Sequence, residues 1–219
     1  MQTTFDTIVS EITYRIEELA SSKPYVLVAI DGRCASGKTT LATALAEGLN
    51  AASAAVPNTA PASQVNSPDA SAALRCNLIH MDHFFLRPEQ RTPARLAEPG
   101  GNVDYERFLE EVLLPLSKQE AFAYRPFDCK AFELKDAIPV NPVSVTIVEG
   151  SYACHPLLRE YYDLKVFLTV DEEEQLRRIL CRNGSDAAAA FRDKWIPLEE
   201  KYFSACNVEA CCDITLANA

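Results

Sequence analysis

The chain has 219 residues, 48% of them hydrophobic and 24% charged, enough apolar material for one α/β domain with a substantial core. Its formal net charge of −10 argues against a nucleic-acid or anionic-membrane surface, since either calls for a basic face. The eight cysteines are scattered without a C-x-x-C pair, and His80, His83 and His155 complete no ligand-spaced set with them. Reduced thiols are therefore expected, not a zinc site or a disulfide framework.

The chain begins with "MQTTFDTIVSEITYRIEELA". It lacks a basic n-region and an apolar h-region, and Phe5, Ile8, Ile12, Ile16 and Leu19 fall on one face of an amphipathic helix. No stretch approaches the length of a membrane span. A cytoplasmic enzyme with no membrane role is expected.

The apolar run Val26–Ile30 predicts a buried strand of the kind found in parallel sheets. Lys38–Leu49 predicts a helix, with Leu41, Leu45 and Leu49 at four-residue spacing. Between them stand Gly32, Arg33, Cys34, Ala35, Ser36, Gly37, Lys38 and Thr39, followed by Thr40. This fits G-x-x-x-x-G-K-[ST] at every fixed position. The two glycines let the backbone bend towards a phosphate chain without a Cβ in the way. The helix start adds unpaired N–H groups and a positive dipole end. Lys38 supplies a mobile charge to the β and γ phosphates, and the Thr39 hydroxyl is placed to ligate Mg²⁺. ATP and Mg²⁺ are the expected cofactors.

Residues 51–74 are rich in Ala, Ser, Pro and Asn and are expected to form a flexible insertion. Further strands are expected at 77–81, 144–150, 164–170 and 213–217, with a helix over 105–117 that turns Phe108, Val112 and Leu113 inward. Asp171 reads as the N-cap of a helix with Glu174 three residues on, and Gly184 lies near its end. On that helix, Glu173 with Arg177 and Glu174 with Arg178 form i,i+4 pairs, which a solvated face would also explain, and Arg182 suits the C-terminal dipole. The helical stretch after Phe191 must start afresh or bend at Pro197. Residues 118–143 read as an added substrate-side lobe. Strands alternating with helices imply one P-loop domain over 1–219, a three-layer α/β/α fold with a mainly parallel five-stranded sheet.

Ligands of open parallel sheets bind outside the carboxyl ends of the strands. Asp82 follows the second strand and Glu149 ends the third. Glu149 suits a metal-ordering carboxylate beside Thr39, or a strand-end anchor for a neighbouring loop. Asp82 is open to a catalytic or a capping role, and Asp104 reads as a helix N-cap.

Taken together, "IDGRCASGKTTLA", "MDHFF", "NVDYERF", "YRPFDCK", "IVEGSYA" and "LRRILCR" resemble the uridine kinase and phosphoribulokinase family of P-loop kinases, in order and approximate spacing over most of the chain. The resemblance implies that Asp82 is the catalytic base at the acceptor hydroxyl and that Asp104 holds substrate hydroxyls. It implies that Tyr124, Phe127 and Asp128 line the acceptor pocket and that Glu149 orders Mg²⁺. Arg178 and Arg182 would belong to a lid over 171–195 that closes on ATP. The acceptor implied is a small-molecule alcohol, first a nucleoside 5′-hydroxyl of the uridine or cytidine kind; a sugar phosphate or vitamin alcohol, or an ATPase without an acceptor, are the alternatives. Two features depart from the family: Cys129-Lys130 stands where a base-reading His is usual, and "NGSDAAAA" replaces an Arg-rich lid. A GTPase would want N-K-x-D and D-x-x-G motifs, and neither is present. Homo-oligomerisation is left open.

Overall fold

The computed structural model describes residues 5–55 and 74–218. Helix α1 (Phe5–Ala20) leads to strand β1 (Val26–Gly32) and helix α2 (Lys38–Ala55). Helix α2 therefore takes in residues 51–55, which the sequence had assigned to the insertion; the Ala-rich composition continues the helix there. The rest of the insertion that was expected, apart from Leu74, lies outside the described residues. Strand β2 (Cys76–His80) ends one residue before the predicted boundary. Helices α3 (Pro93–Ala97), α4 (Tyr105–Phe108) and α5 (Leu114–Ser117) follow. Four short strands come next: β3 (Phe122–Tyr124), β4 (Phe127–Asp128), β5 (Glu133–Leu134) and β6 (Ile138–Val140). Then come β7 (Val145–Glu149) and β8 (Leu164–Thr169), helices α6 (Glu172–Asn183), α7 (Ser185–Ala190), α8 (Ile196–Ala205) and α9 (Val208–Cys211), and β9 (Ile214–Ala217).

The main sheet has five strands in the order β2-β7-β1-β8-β9, every neighbouring pair parallel. Ile30 stands opposite Glu149, and Glu149 opposite His80, so the carboxyl ends of β1, β7 and β2 are level. The apolar run of β1 is continuous because both faces of the sheet are covered. Val26, Val28 and Ile30 point to one side, where they meet Ile8, Ile12 and Ile16 of α1 and Leu41, Leu45 and Leu49 of α2. Ala29 points to the other side, into a core with Ile79, Phe108, Val148 and Phe167. In residues 118–143, β3 pairs with β6 and β4 with β5, each pair antiparallel.

Proline shapes two helices in the same way. A π turn over Leu109–Leu113 precedes Pro115, and a second over Phe191–Trp195 precedes Pro197. A proline ring clashes with the carbonyl four residues back, and widening the turn ahead of it makes room without breaking the helix. Of the fresh start or bend expected at Pro197, the fresh start is not seen: helical residues run on from Ser185 to Ala205 through the widened turn. On α6 the Asp171 cap is present, accepting the Glu173 N–H at 2.9 Å, and Gly184 ends the helix at φ 83°. Glu174 takes part in no capping box: it accepts from Arg177 and Arg178, so Arg177 pairs at i,i+3 instead of with Glu173. The guanidinium of Arg177 can share the carboxylate already held by Arg178.

Ile16 is fully buried between α1 and the sheet. Ile16→Ala should cost about 2–4 kcal/mol, the usual penalty for a large-to-small change in a core that relaxes only in part. The midpoint of urea unfolding should fall with an unchanged m-value; an unchanged midpoint would mean that α1 does not belong to the cooperative core.

Candidate active site

A cleft of about 760 Å³ opens at the carboxyl ends of β1, β2 and β7. Its floor is the loop between β1 and α2. Gly32 has φ 137°, and a Cβ there would meet the Leu168 carbonyl oxygen at 2.0 Å, so only glycine fits. Gly37 has φ 96°, with the Asn218 side chain 2.7 Å from where a Cβ would stand. Ala35 takes a left-handed conformation at φ 59°. The loop thereby turns its N–H groups inward, and those of Gly37, Lys38 and Thr39 find no backbone acceptor among the described residues. The Ser36 hydroxyl is buried there without a partner. Inward N–H groups, a helix start and an orphaned hydroxyl suit a phosphate chain.

Lys38 is buried and folds back over the loop, donating to the carbonyls of Gly32 at 2.8 Å and Arg33 at 2.7 Å. The Thr39 hydroxyl donates to Glu149 Oε2 at 3.1 Å, and Glu149 Oε1 lies 2.5 Å from His80 Nδ1. A hydroxyl and a carboxylate side by side are hard oxygen donors of the type Mg²⁺ takes, so the donor set fits that ion. The Glu149 hydrogen bond holds the His80 imidazole above its ordinary pKa. Asp82 lines the same cleft beside Gly150, where a Cβ would come 3.5 Å from the Asp82 Oδ1. Its pKa is raised: the crowding cleft walls strip bulk water from it and the carboxylates of Glu149 and Glu199 add to the rise, while Lys38 opposes them.

The other wall is α6 to α8. Arg178 lines the cleft, reaches the Ala35 carbonyl at 3.3 Å and the Asn218 carbonyl at 3.4 Å, and pairs with Glu174 at 2.7 Å. Arg182 lines it too and bonds Asn183. The widened turn before Pro197 brings Phe191, Lys194 and Trp195 onto the same wall.

Of the residues singled out in the sequence, the loop from Cys34 to Thr40, Asp82, Glu149, Arg178 and Arg182 thus meet around one cleft; Gly32 and Ser36 shape its floor, and Arg33 turns away to pair with Glu200 and bond Thr169. Four others are not on its wall. Asp104 is buried, capping α4 through the Arg107 N–H at 3.2 Å and accepting from Gln90 at 2.8 Å. Tyr124 is buried, with its hydroxyl 3.2 Å from His83. Phe127 is buried as well, and Asp128 pairs with Lys135 at 2.7 Å, which, with the N–H groups of Lys130 and Ala131 that it accepts from, lowers its pKa to about 2. Asn102, Arg91, Cys129 and Phe132 line the cleft in that region instead.

Sequence reasoning missed three contributors. Glu199 is buried and accepts the Cys34 N–H at 2.9 Å and the Ser151 hydroxyl at 2.7 Å, fixing the loop from behind. Asn218 donates to the Ser36 carbonyl at 2.7 Å. Asp31 is fully buried and accepts four hydrogen bonds, from the N–H groups of Gly32, Tyr152 and Cys154 and from the Tyr202 hydroxyl. Asp31 alone carried a local signal, a carboxylate inside an otherwise apolar strand.

No family model matches the chain. Solved structures do. A candidate fructose transport system kinase from Silicibacter sp. TM1040 superposes with TM-score 0.66 at 22% identity, covering 95% of this chain and 98% of that one. A possible uridine kinase from Bacillus stearothermophilus does so with TM-score 0.62 at 16% identity, covering 94% and 99%. The fold is that of the P-loop NTPases, the three-layer α/β/α arrangement expected from the sequence, and the cleft lies at the carboxyl edge of its parallel sheet. No described helix is long and apolar enough to cross a membrane.

Burial raises the Asp31 pKa from 3.8 to about 6. The folded chain therefore keeps a proton there that the unfolded chain releases at lower pH. The stability this contributes is full below 3.8 and is lost as the pH rises towards 6. The difference in unfolding free energy between the wild type and Asp31→Asn, from urea titrations at each pH, should fall over pH 4–6 with a slope of up to ~1.4 kcal/mol per unit. A flat difference would mean that Asp31 is already ionised in the fold.

Proposed function

We propose that the protein is a kinase that transfers the γ-phosphoryl group of ATP to the hydroxyl of a small molecule. The observation that carries this reading is Asp82 on the wall of the same cleft as Lys38, Thr39 and Glu149. A hydrolase needs a site for water only; a carboxylate in a roomy, partly apolar cleft suits an organic acceptor.

In this reading the loop N–H groups and Lys38 bind the β and γ phosphates. Lys38 can leave its present carbonyl partners, Gly32 and Arg33, for a phosphate, since its charge is worth more to an anion than to two neutral oxygens. Thr39 and Glu149 would hold Mg²⁺, which supplies charge neutralisation on the phosphate oxygens when bound. Asp82 orients the acceptor hydroxyl and takes its proton late in a loose transition state. Arg178 and Arg182 approach the phosphates from the lid side. The nucleoside acceptor implied by the sequence resemblance is one member of this class, and no His stands at 129 or 130 to read a base.

Asp82→Asn should fold and bind Mg-ATP as the wild type does, with single-turnover transfer lower by about 10²–10⁴, the range for a lost general base. Lys38→Ala should lower transfer by about a hundredfold or more through loss of a preorganised charge. Both are measured as ATP consumption and phosphorylated product against a panel of nucleosides, sugars, sugar phosphates and vitamin alcohols. Unchanged transfer in Asp82→Asn makes Asp82 a loop anchor. ADP release at full rate without any acceptor makes the protein an ATPase.

A further inference from the structure

The cation at the acceptor end of the cleft has no role in the reading so far. Arg91 follows the short helical turn Pro88–Gln90 and lines the cleft. Its Nε donates to the Leu86 carbonyl at 3.0 Å. Its guanidinium carbon lies 5.5 Å from the centre of the Phe132 ring and 6.0 Å from that of Phe127. One carbonyl and two ring faces thus fix the group while engaging only one of its nitrogens firmly.

Its neighbours are held differently. Arg87 pairs with Glu89, Arg95 with Glu98 and Glu106, and Arg107 with Asp104 and Glu111. Arg91 has no carboxylate within 4.0 Å among the described residues, in a chain with 31 acidic and 21 basic side chains. Asp82, Arg91 and Cys129 line one cleft; loss of water raises the Cys129 thiol pKa most, Asp82 raises it too, and Arg91 lowers it by its charge and a hydrogen bond. A small molecule held in this cleft with its hydroxyl at Asp82 has Arg91 as a partner for its other end.

We infer that Arg91 forms an anion subsite at the acceptor end, so that the alcohol phosphorylated here already carries a phosphate or carboxylate group. This rests on the kinase reading for the word acceptor; the anion subsite itself does not. A guanidinium is weakly hydrated, offers paired donors to either anion, and stays charged at every working pH. Stacked on two rings and lacking a carboxylate, it gains more from an anionic partner than from a neutral one. A neutral nucleoside or free sugar leaves that charge unmatched.

Cys129 is exposed and reports on the spot. Its thiolate attacks the methylene carbon of an iodoacetyl reagent, the C–I bond breaks, and iodide leaves. Iodoacetate and iodoacetamide consume the same thiolate and differ in charge, so the ratio of their rates cancels any change in the thiol pKa. The ratio at Cys129, read by peptide mass spectrometry and scaled to that of free N-acetylcysteine amide, should be at least about threefold higher in wild type than in Arg91→Gln, as a partly screened charge pair would give. Arg91→Lys should keep most of it. In the second arm, D-ribose 5-phosphate, sn-glycerol 3-phosphate or D-glycerate should slow iodoacetamide at Cys129 where D-ribose and glycerol do not, and the member that protects tells phosphate from carboxylate. With Mg-ATP, transfer to the charged member of a matched pair should exceed transfer to the neutral one, and Arg91→Gln should erase the preference. An equal ratio in wild type and Arg91→Gln overturns the anion subsite. A normal labelling ratio with equal transfer to neutral alcohols overturns the substrate class and leaves the kinase standing. ADP formation indifferent to every alcohol and to Asp82→Asn removes the kinase reading, while the labelling ratio still decides whether Arg91 holds an anion.

Discussion

Asp31 is the contact on which the site depends. Its carboxylate lies inside the last turn of β1 and gathers the N–H groups of Gly32, Tyr152 and Cys154 together with the Tyr202 hydroxyl. Three stretches of chain distant in sequence are tied at one point: the start of the phosphate loop, the loop after Glu149, and helix α8. A buried carboxylate is costly unless its lone pairs are filled, and here four donors fill them. Such a group tolerates little displacement, because a lost donor leaves an unmet charge in the core.

Tension elsewhere in the cleft follows from that anchor. With β1 and the 150–154 loop fixed, Glu149 stands level with Ile30 and within reach of Thr39, and Ser151 can hand its hydroxyl to Glu199. Glu199 in turn takes the Cys34 N–H, so the phosphate loop is supported from the sheet side by Asp31 and from the helical side by Glu199. Asp82 feels the charges of Lys38, Glu149 and Glu199 together, and Lys38 satisfies itself on loop carbonyls. The balance leaves a preorganised polar floor, the arrangement that stabilises developing charge with little rearrangement. The α6–α8 wall meets the phosphate loop through Arg178, 3.3 Å from the Ala35 carbonyl, and through the Gln175 amide, which donates to the Cys34 carbonyl at 3.0 Å.

Much of this was legible in the chain. The apolar run of β1, the Gly-x₄-Gly-Lys-Thr cluster and the strand-end Glu149 specify one another locally: a strand, a turn that only glycine permits, and a helix start. The leucines of α2 and the isoleucines of α1 announced which faces are buried. Less legible were residues whose roles depend on a partner far away. Glu199 reads as part of a solvated "LEEK" face, and Asn218 as a polar residue near the chain end, until the fold brings them to Cys34 and Ser36. A fresh start or a bend was expected at Pro197, because a sequence shows the missing N–H and not the widened turn that absorbs it.

The sequence by itself determined the layered fold, the phosphate loop and the end of the sheet at which chemistry gathers. These follow from periodicity, backbone freedom and helix dipoles, all of which act over a few residues. Only the tertiary structure decided which residues complete the cleft. Asp104, Tyr124, Phe127 and Asp128 are taken up by caps, the core and a local ion pair, while Asn102, Arg91, Cys129 and Phe132 line the cleft. There Arg91 is held over the rings of Phe127 and Phe132, more than thirty residues further along the chain. Packing between segments far apart in sequence leaves no period or spacing to read.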